Sequence, residues 1–225
     1  MKRICIISDL HGNLPNIEEC DILCICGDIV PNNIQYDLNE SIYFLRHNFK
    51  DWIDTLNINH IILIWGDHDF IGEYLYNSMY DQSKYLFGEN SNIHILNDKS
   101  LEIYGIKFYG TSWCPDLKEL AFYGTSSFLR TVFNKIPKDT DILLTHYPVE
   151  FGHQVIVLDH NKNFLKNFGC EELKTAIDNI FGNKKKKTYI FSSHIHSSNH
   201  YYPLYIDYKI PIYRKIKKFL KNLKF

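Results

Sequence analysis

Five short apolar runs rich in β-branched residues constrain the fold most, because each stops abruptly at an acidic or imidazole side chain. The run over 3–8 meets Asp9-Leu10-His11-Gly12-Asn13, that over 22–26 meets Gly27-Asp28, and that over 61–65 meets Gly66-Asp67-His68-Asp69. Farther on, 142–144 meets Thr145-His146-Tyr147-Pro148, and 189–191 meets Ser192-Ser193-His194-Ile195-His196. Continuous apolar runs of this length suit strands buried on both faces, as in a sheet covered by helices.

Helical periodicity fills the spaces between them. Residues 40–56 place Ile42, Leu45, Phe49, Ile53 and Leu56 at helical spacing, and 171–180 place Leu173, Ile177 and Ile180 on one face. The segment 93–111 reads as strands joined at a Tyr104-Gly105 turn, and 201–213 as one or two more strands. These elements make an α/β architecture with no internal repeat. One domain covers residues 1–213, and a short basic helix over 214–225 packs on it or extends it. That helix carries Ile216, Phe219, Leu220 and Leu223 as its apolar stripe.

Composition narrows the function classes. With 45% hydrophobic and 23% charged residues, the 225-residue chain is globular rather than disordered. A net charge of −1 gives it no general attraction to nucleic acid or membrane, but the charge is divided unevenly. Residues 1–183 hold 14 basic and 25 acidic side chains, and 184–225 hold 11 and 1. The basic tail therefore leaves nucleic-acid or membrane contact as a lesser reading beside docking on its own acidic domain. No apolar stretch approaches the roughly 20 residues of a membrane-spanning helix. The first apolar run is too short for a signal peptide and ends at Ser8-Asp9. Cys5, Cys24 and Cys26 lie inside apolar runs and read as buried thiols, which points to a reducing, cytoplasmic setting.

Chemistry enters through the run ends. Ligand sites in α/β sheets lie beyond the carboxyl ends of strands, where Asp9, His11, Asp28, Asp67, His68, Asp69, His146, His194 and His196 all fall. The pairs Asp9/His11 and His194/His196 are spaced i, i+2, so each pair can point one way from an extended chain. Two carboxylates about 4 Å apart repel by roughly 4 kcal/mol at an effective dielectric of 20. The motifs contain no Lys or Arg, so convergence requires bound cations. Imidazole mixed with carboxylate suits manganese first, with iron, zinc or nickel as alternatives, over calcium. More candidate ligands than one tetrahedral site can use imply two ions sharing a carboxylate, the arrangement that serves phosphoryl displacement.

Asp9-x-His11, Gly27-Asp28, Gly66-Asp67-His68-Asp69, His146 and Ser193-His194-x-His196 resemble the motif series of calcineurin-like metallophosphoesterases. That series reads D-x-H, G-D, G-N-H-[DE], H and G-H-x-H. The stretch over 106–113, the run from Ile136-Pro137 to Thr145-His146, and Gly169-Cys170 are similar to the small brain-type subfamily, which is like class III cyclic nucleotide phosphodiesterases. The resemblance implies a four-layered α/β/β/α sandwich of two mixed sheets flanked by helices. It implies one ion held by Asp9, His11, Asp28 and His196, and a second by Asp28, Asp67, His146 and His194. It further implies a hydroxide between the ions as nucleophile, with His68 assisting the leaving oxygen and Asp69 orienting His68.

Two positions depart from the family pattern. Asp67 stands where the family has Asn, adding negative charge toward the substrate. Ser193 stands where it has Gly, setting a Cβ against the expected phosphate position, which implies slower turnover. The substrate implied is a small phosphodiester, in particular a cyclic nucleotide, with Tyr147 and Trp113 as candidates for stacking a base. A metal-stabilised nucleotide- or protein-binding module with weak turnover, and a nuclease or phosphomonoesterase, remain the alternative readings. The oligomeric state is not legible in the sequence.

Overall fold

The computed structural model describes residues 1–78, 81–89, 91–115, 118–150, 156–158, 164–167, 169–182, 187–194 and 203–209. Strands β1 (Lys2–Ile7), β2 (Ile22–Cys26), β3 (His60–Ile64) and β4 (Ile93–Ile95) run parallel, and β11 (Leu204–Tyr208) adds antiparallel to β1. The order is β11-β1-β2-β3-β4. A second sheet, β10-β7-β6-β5, is built from β5 (Lys99–Ile103), β6 (Ile106–Thr111), β7 (Ile142–Thr145) and β10 (Tyr189–Phe191). There β10, β7 and β6 run parallel, and β5 pairs antiparallel with β6. A separate antiparallel pair is formed by β8 (Ile156–Leu158) and β9 (Phe164–Asn167).

Strand alternation decides which core each side chain enters. Ile4 and Ile6 of β1, Ile22, Cys24 and Cys26 of β2, and Ile62 and Ile64 of β3 share one cluster with Ile106, Phe108, Ile142 and Leu144 of the second sheet. The intervening residues Cys5, Ile7, Leu23, Ile25, Ile61, Leu63 and Leu143 enter the other core, with the helices. Both faces are thus buried, which is why the runs are apolar without a break. Each buried aliphatic side chain contributes roughly 1.5–3 kcal/mol relative to exposure.

The helix read over 40–56 is present with a longer start and an irregular middle. Helix α1 (Leu38–Phe44) is capped by Asp37, whose carboxylate accepts from the Asn39 and Glu40 amides. A π-helical turn follows at Leu45–Phe49 and then α2 (Lys50–Thr55). Leu45, Phe49 and Ile53 are spaced by four, which overshoots a 3.6-residue turn, and the wider π turn takes up the overshoot so that all three stay buried. The Tyr104-Gly105 turn has φ of 52° and 76°, the left-handed pair that a tight hairpin requires. The stretch over 93–111 is divided between the sheets, with β4 in the first and β5–β6 in the second.

Helices α3 (Phe70–Tyr76), α4 (Gln82–Phe87) and α5 (Ser126–Phe133) carried no helical reading in the sequence, whereas α6 (Glu171–Phe181) did. The three are short, and α3 begins just after the polar turn at Asp67-His68, so their periodicity spans barely two turns. The basic tail over 214–225 lies outside the described residues, as do Lys184–186, His153, His160, His200, Tyr201 and Tyr202. The architecture is two mixed sheets with flanking helices.

Candidate metal centre

Because β1, β2 and β3 are parallel, their carboxyl ends share one edge of the first sheet, and β7 and β10 bring theirs from the second. The loops are then stitched together by backbone. Asp9 N–H donates to the Gly27 carbonyl (3.0 Å), His11 N–H to Asp28 (2.7 Å), and Gly12 N–H to Ile29 (3.0 Å). Ser193 N–H donates to the His146 carbonyl (3.0 Å), and His194 N–H to Asp9 Oδ1 (3.2 Å). His68 N–H donates to Asp28 Oδ1 (2.9 Å).

This stitching holds four candidate ligands in left-handed backbone: Asp9 (φ 53°), His11 (44°), Asp28 (55°) and His194 (74°). Each such residue costs on the order of 1–3 kcal/mol and persists only where its surroundings over-determine it. Gly27 (φ 94°) is required twice over, since a Cβ there would lie 2.5 Å from His146 Nδ1. A Cβ on Gly66 would collide with the Asp28 carboxylate.

The side chains gather in three groups whose ligand atoms lie within 4.8 Å of one another: Asp9/His11/Asp28, Asp67/His146/His194 and Asp28/Asp67/His68. Asp28 belongs to two of them. Its Oδ2 is 3.5 Å from His11 Nε2 and 3.6 Å from His146 Nε2. Asp67 Oδ1 is 2.5 Å from His146 Nε2 and 3.0 Å from His194 Nδ1. Asp28, Asp67 and His146 are fully buried. His196, the remaining predicted ligand, lies outside the described residues.

Electrostatics sharpen the picture. Burial, with Asp67 and Asp69 nearby, pushes Asp28 well above the usual carboxylate range, against the pull of His146. For Asp67 burial acts the same way, but hydrogen bonds from His146 and His194 outweigh it and hold the group well below that range. Burial would lower His146, yet the Asp28 and Asp67 carboxylates raise it well above an ordinary imidazole. Imidazoles are the ion-pair partners that both buried carboxylates show.

The donor set fits divalent cations. Oδ2 of Asp28 and Oδ2 of Asp67 are buried without a hydrogen-bond donor, an arrangement costly for a carboxylate oxygen unless a cation meets it. Ligand bonds of about 2.1 Å put neighbouring donors on one ion roughly 3.0–3.4 Å apart, close to the spacing of His11 and His146 around Asp28 Oδ2. Mixed imidazole and carboxylate donors favour first-row transition metals.

The outer supports differ from those the motifs imply. Asp69 does not reach the His68 ring. Its fully buried carboxylate accepts from the amides of Ile29 (2.9 Å), Val30 (2.9 Å) and Gly66 (2.8 Å), tying the Asp28 loop to the Asp67 loop. Burial raises its pKa to about 6. His68 Nδ1 instead meets Gln35 Oε1 at 2.5 Å. Gln35 carried no signal in the sequence, being one polar residue between Ile34 and Tyr36.

Ser193 also departs from expectation. Its side chain is buried and turned inward, with Oγ 2.5 Å from the Cys26 carbonyl and 2.8 Å from His146 Nδ1, so it does not confront substrate. Neither stacking candidate is free to stack. Tyr147 is 1% exposed and its ring lies on His194, 4.8 Å between centroids at 30°. Trp113 is 9% exposed, donates its indole N–H to Asp98 and packs edge-on against Tyr76, Phe122 and Phe128. Both were plausible from sequence because aromatic type does not reveal burial.

Similarity to known proteins points the same way. A UPF0046 protein of Caenorhabditis elegans is 30% identical over 216 residues, covering 88% of this chain and 69% of that protein. Human metallophosphoesterase domain-containing protein 1 is 24% identical over 200 residues, 78% of this chain and 56% of its own length. The probable rhamnogalacturonate lyase C of Emericella nidulans is 28% identical over 185 residues, 79% of this chain and 16% of the lyase. The chain thus spans well under two thirds of several relatives it matches. The family model described as calcineurin-like phosphoesterase matches residues 2–198, the interval that carries every Asp and His gathered at the strand ends, and the chain belongs to that family.

Proposed function

We propose that this protein is a metal-dependent phosphodiesterase with two divalent ions, manganese foremost, acting on a small phosphodiester such as a cyclic nucleotide. The observation that carries the reading is Asp28, fully buried and shared by two Asp/His groups beside the Nε2 edge of His68. One ion would be held by Asp9, His11 and Asp28, with His196 as a further ligand. The other would be held by Asp28, Asp67, His146 and His194. Bound there, the ions would supply Lewis acidity toward the phosphoryl oxygens and acidify water.

The chain's own residues do the rest. Asp69 fixes the two loops that present Asp28 and Asp67, and the Cys26 carbonyl with Ser193 Oγ anchors Nδ1 of His146, so that its Nε2 faces the carboxylates. His68 presents Nε2 to the same space and protonates the leaving oxygen. The carboxylate of Asp67, in place of a neutral amide, favours a diester, which carries one negative charge, over a doubly charged monoester. The six cysteines are all free and buried, which supports a reducing, cytoplasmic setting. Among the described residues no helix is long and apolar enough to cross a membrane.

The test is a screen of 2′,3′- and 3′,5′-cyclic nucleotides and phosphomonoesters with Mn2+, Ni2+, Zn2+ and Mg2+. Hydrolysis of a diester by the wild type, lost by about a hundredfold in His68→Ala, supports the reading. Equal background rates in both proteins would favour a metal-stabilised binding module with weak turnover.

A further inference from the structure

Gln35 lies outside every metal-ligand motif, seven residues beyond Asp28, yet its buried carboxamide reaches the ring of His68. Three contacts with described residues orient His68. Its backbone N–H donates to Asp28 Oδ1, its ring makes a T-shaped contact with that of His11 at 5.2 Å between centroids, and its Nδ1 sits 2.5 Å from Gln35 Oε1. The opposite nitrogen, Nε2, is 3.9 Å from Asp67 Oδ2, on the side where the carboxylates converge. The first contact fixes the backbone and the second limits the ring's tilt. Of these three, the Gln35 contact is the one that distinguishes Nδ1 from Nε2 and so bears on which nitrogen faces the centre.

We infer that Gln35 is the positioning residue of His68, the part that the motif series had implied for Asp69. This inference rests on the reading that His68 assists the leaving oxygen. As the bond from phosphorus to the leaving oxygen breaks, the proton on Nε2 passes to that oxygen. The ring is left neutral, with its remaining proton on Nδ1, and water later returns a proton to Nε2. Gln35 Oε1 accepts from Nδ1–H before and after the transfer, so the aim of the ring survives the change of charge. An apolar side chain of the same size would leave the neutral ring free to move its proton to Nε2 or to turn over.

The experiment compares wild type, Gln35→Leu and Gln35→Glu, with Mn2+, on two esters. One is a 3′,5′-cyclic nucleotide, whose leaving alkoxide must take a proton; the other is bis(p-nitrophenyl) phosphate, whose leaving phenolate need not. The nitrogen resonances of His68 are followed by NMR in the same proteins without added metal. In Gln35→Leu, kcat on the cyclic nucleotide falls about tenfold while KM stays within about twofold, and the p-nitrophenyl ester changes by less than about twofold. Gln35→Glu, which keeps an acceptor, recovers most of the loss. His68 passes from the Nδ1–H form to a mixture of tautomers in Gln35→Leu. Equal losses on both esters, or the same His68 spectrum in wild type and Gln35→Leu, would overturn the inference. If the wild type hydrolyses neither ester, the leaving-group reading has failed by itself. The His68 spectrum then decides the positioning alone, supporting it if Gln35→Leu mixes the tautomers and overturning it if it does not.

Discussion

Ser193 Oγ lies 2.8 Å from His146 Nδ1, and both atoms converge on the carbonyl oxygen of Cys26 at the end of β2. The hydroxyl thus acts behind a candidate ligand, on the side away from the carboxylates. Outer partners of ligating histidines set tautomer and ring angle, and their loss typically costs ten- to a hundredfold in metal affinity. Ser193→Ala, which removes only Oγ, is expected to weaken Mn2+ binding about tenfold, as measured by titration calorimetry. Unchanged affinity would show that the Cys26 carbonyl suffices. Ser193→Gly should not speed turnover, because the side chain it deletes does not face substrate.

Asp69 joins two loops by accepting three backbone amides, so its removal should be felt as stability before it is felt as chemistry. Hydrogen bonds to a buried charged acceptor contribute about 1.5–3 kcal/mol each, and an Asn would present its NH2 to one of the donors. Asp69→Asn is expected to lose on the order of 3 kcal/mol, a fall in Tm of about 6–12 °C for a chain of this size. Thermal unfolding of the metal-free protein measures it. A shift under 2 °C would mean that the three amides find other acceptors.

Cation binding should stabilise the fold strongly, since the ligands come from five strands that are apart in the unfolded chain. At a hundred times the dissociation constant, binding to the native state alone adds about 2.7 kcal/mol per site. With both sites filled the gain is about 5.4 kcal/mol, so the Tm should rise by about 11–22 °C with Mn2+ and return with EDTA, as followed by calorimetry. An unchanged Tm across that range would contradict the two-ion reading.

A second imidazole pair sits away from the centre, on adjacent strands. His60 Nδ1 and His94 Nε2 are 3.4 Å apart, with Tyr104 edge-on to His60 and Lys2 over the Tyr104 ring. Burial lowers both groups below the ordinary imidazole value, with Lys2 adding to the shift of His60 and His60 to that of His94. With folded pKa values below an unfolded value near 6.5, the unfolded chain binds more protons as pH falls through 6.5. Stability is therefore lost on acidification from that point downward. The His60→Leu/His94→Leu variant should lose less Tm between pH 7.5 and 5.5 than the wild type; an equal loss would assign the acid sensitivity to other groups.

Read residue by residue, the sequence was most legible where one property served two ends. The unbroken apolar runs at 22–26 and 61–65 announce strands with both faces buried, and the same runs end where a parallel sheet exposes its carboxyl edge. Asp9, His11, Asp28, Asp67, His146 and His194 could be picked out for that reason, and the structure brings those six together. Short helices such as α3, at seven residues, gave too little periodicity to stand out.

Local chemistry thus determined which elements form and which side chains are delivered to the strand ends, because burial and strand period act over a few neighbouring residues. Which atom faces which was settled only by packing across the two sheets. The direction of Ser193, the reach of Asp69 to the Ile29 and Val30 amides and the reach of Gln35 to His68 each join residues 33 to 167 positions apart in the chain. No window of sequence contains both ends of such a contact, and Tyr147 and Trp113 show the converse: aromatic type was visible from the start, but their burial was decided by neighbours that the fold alone supplies.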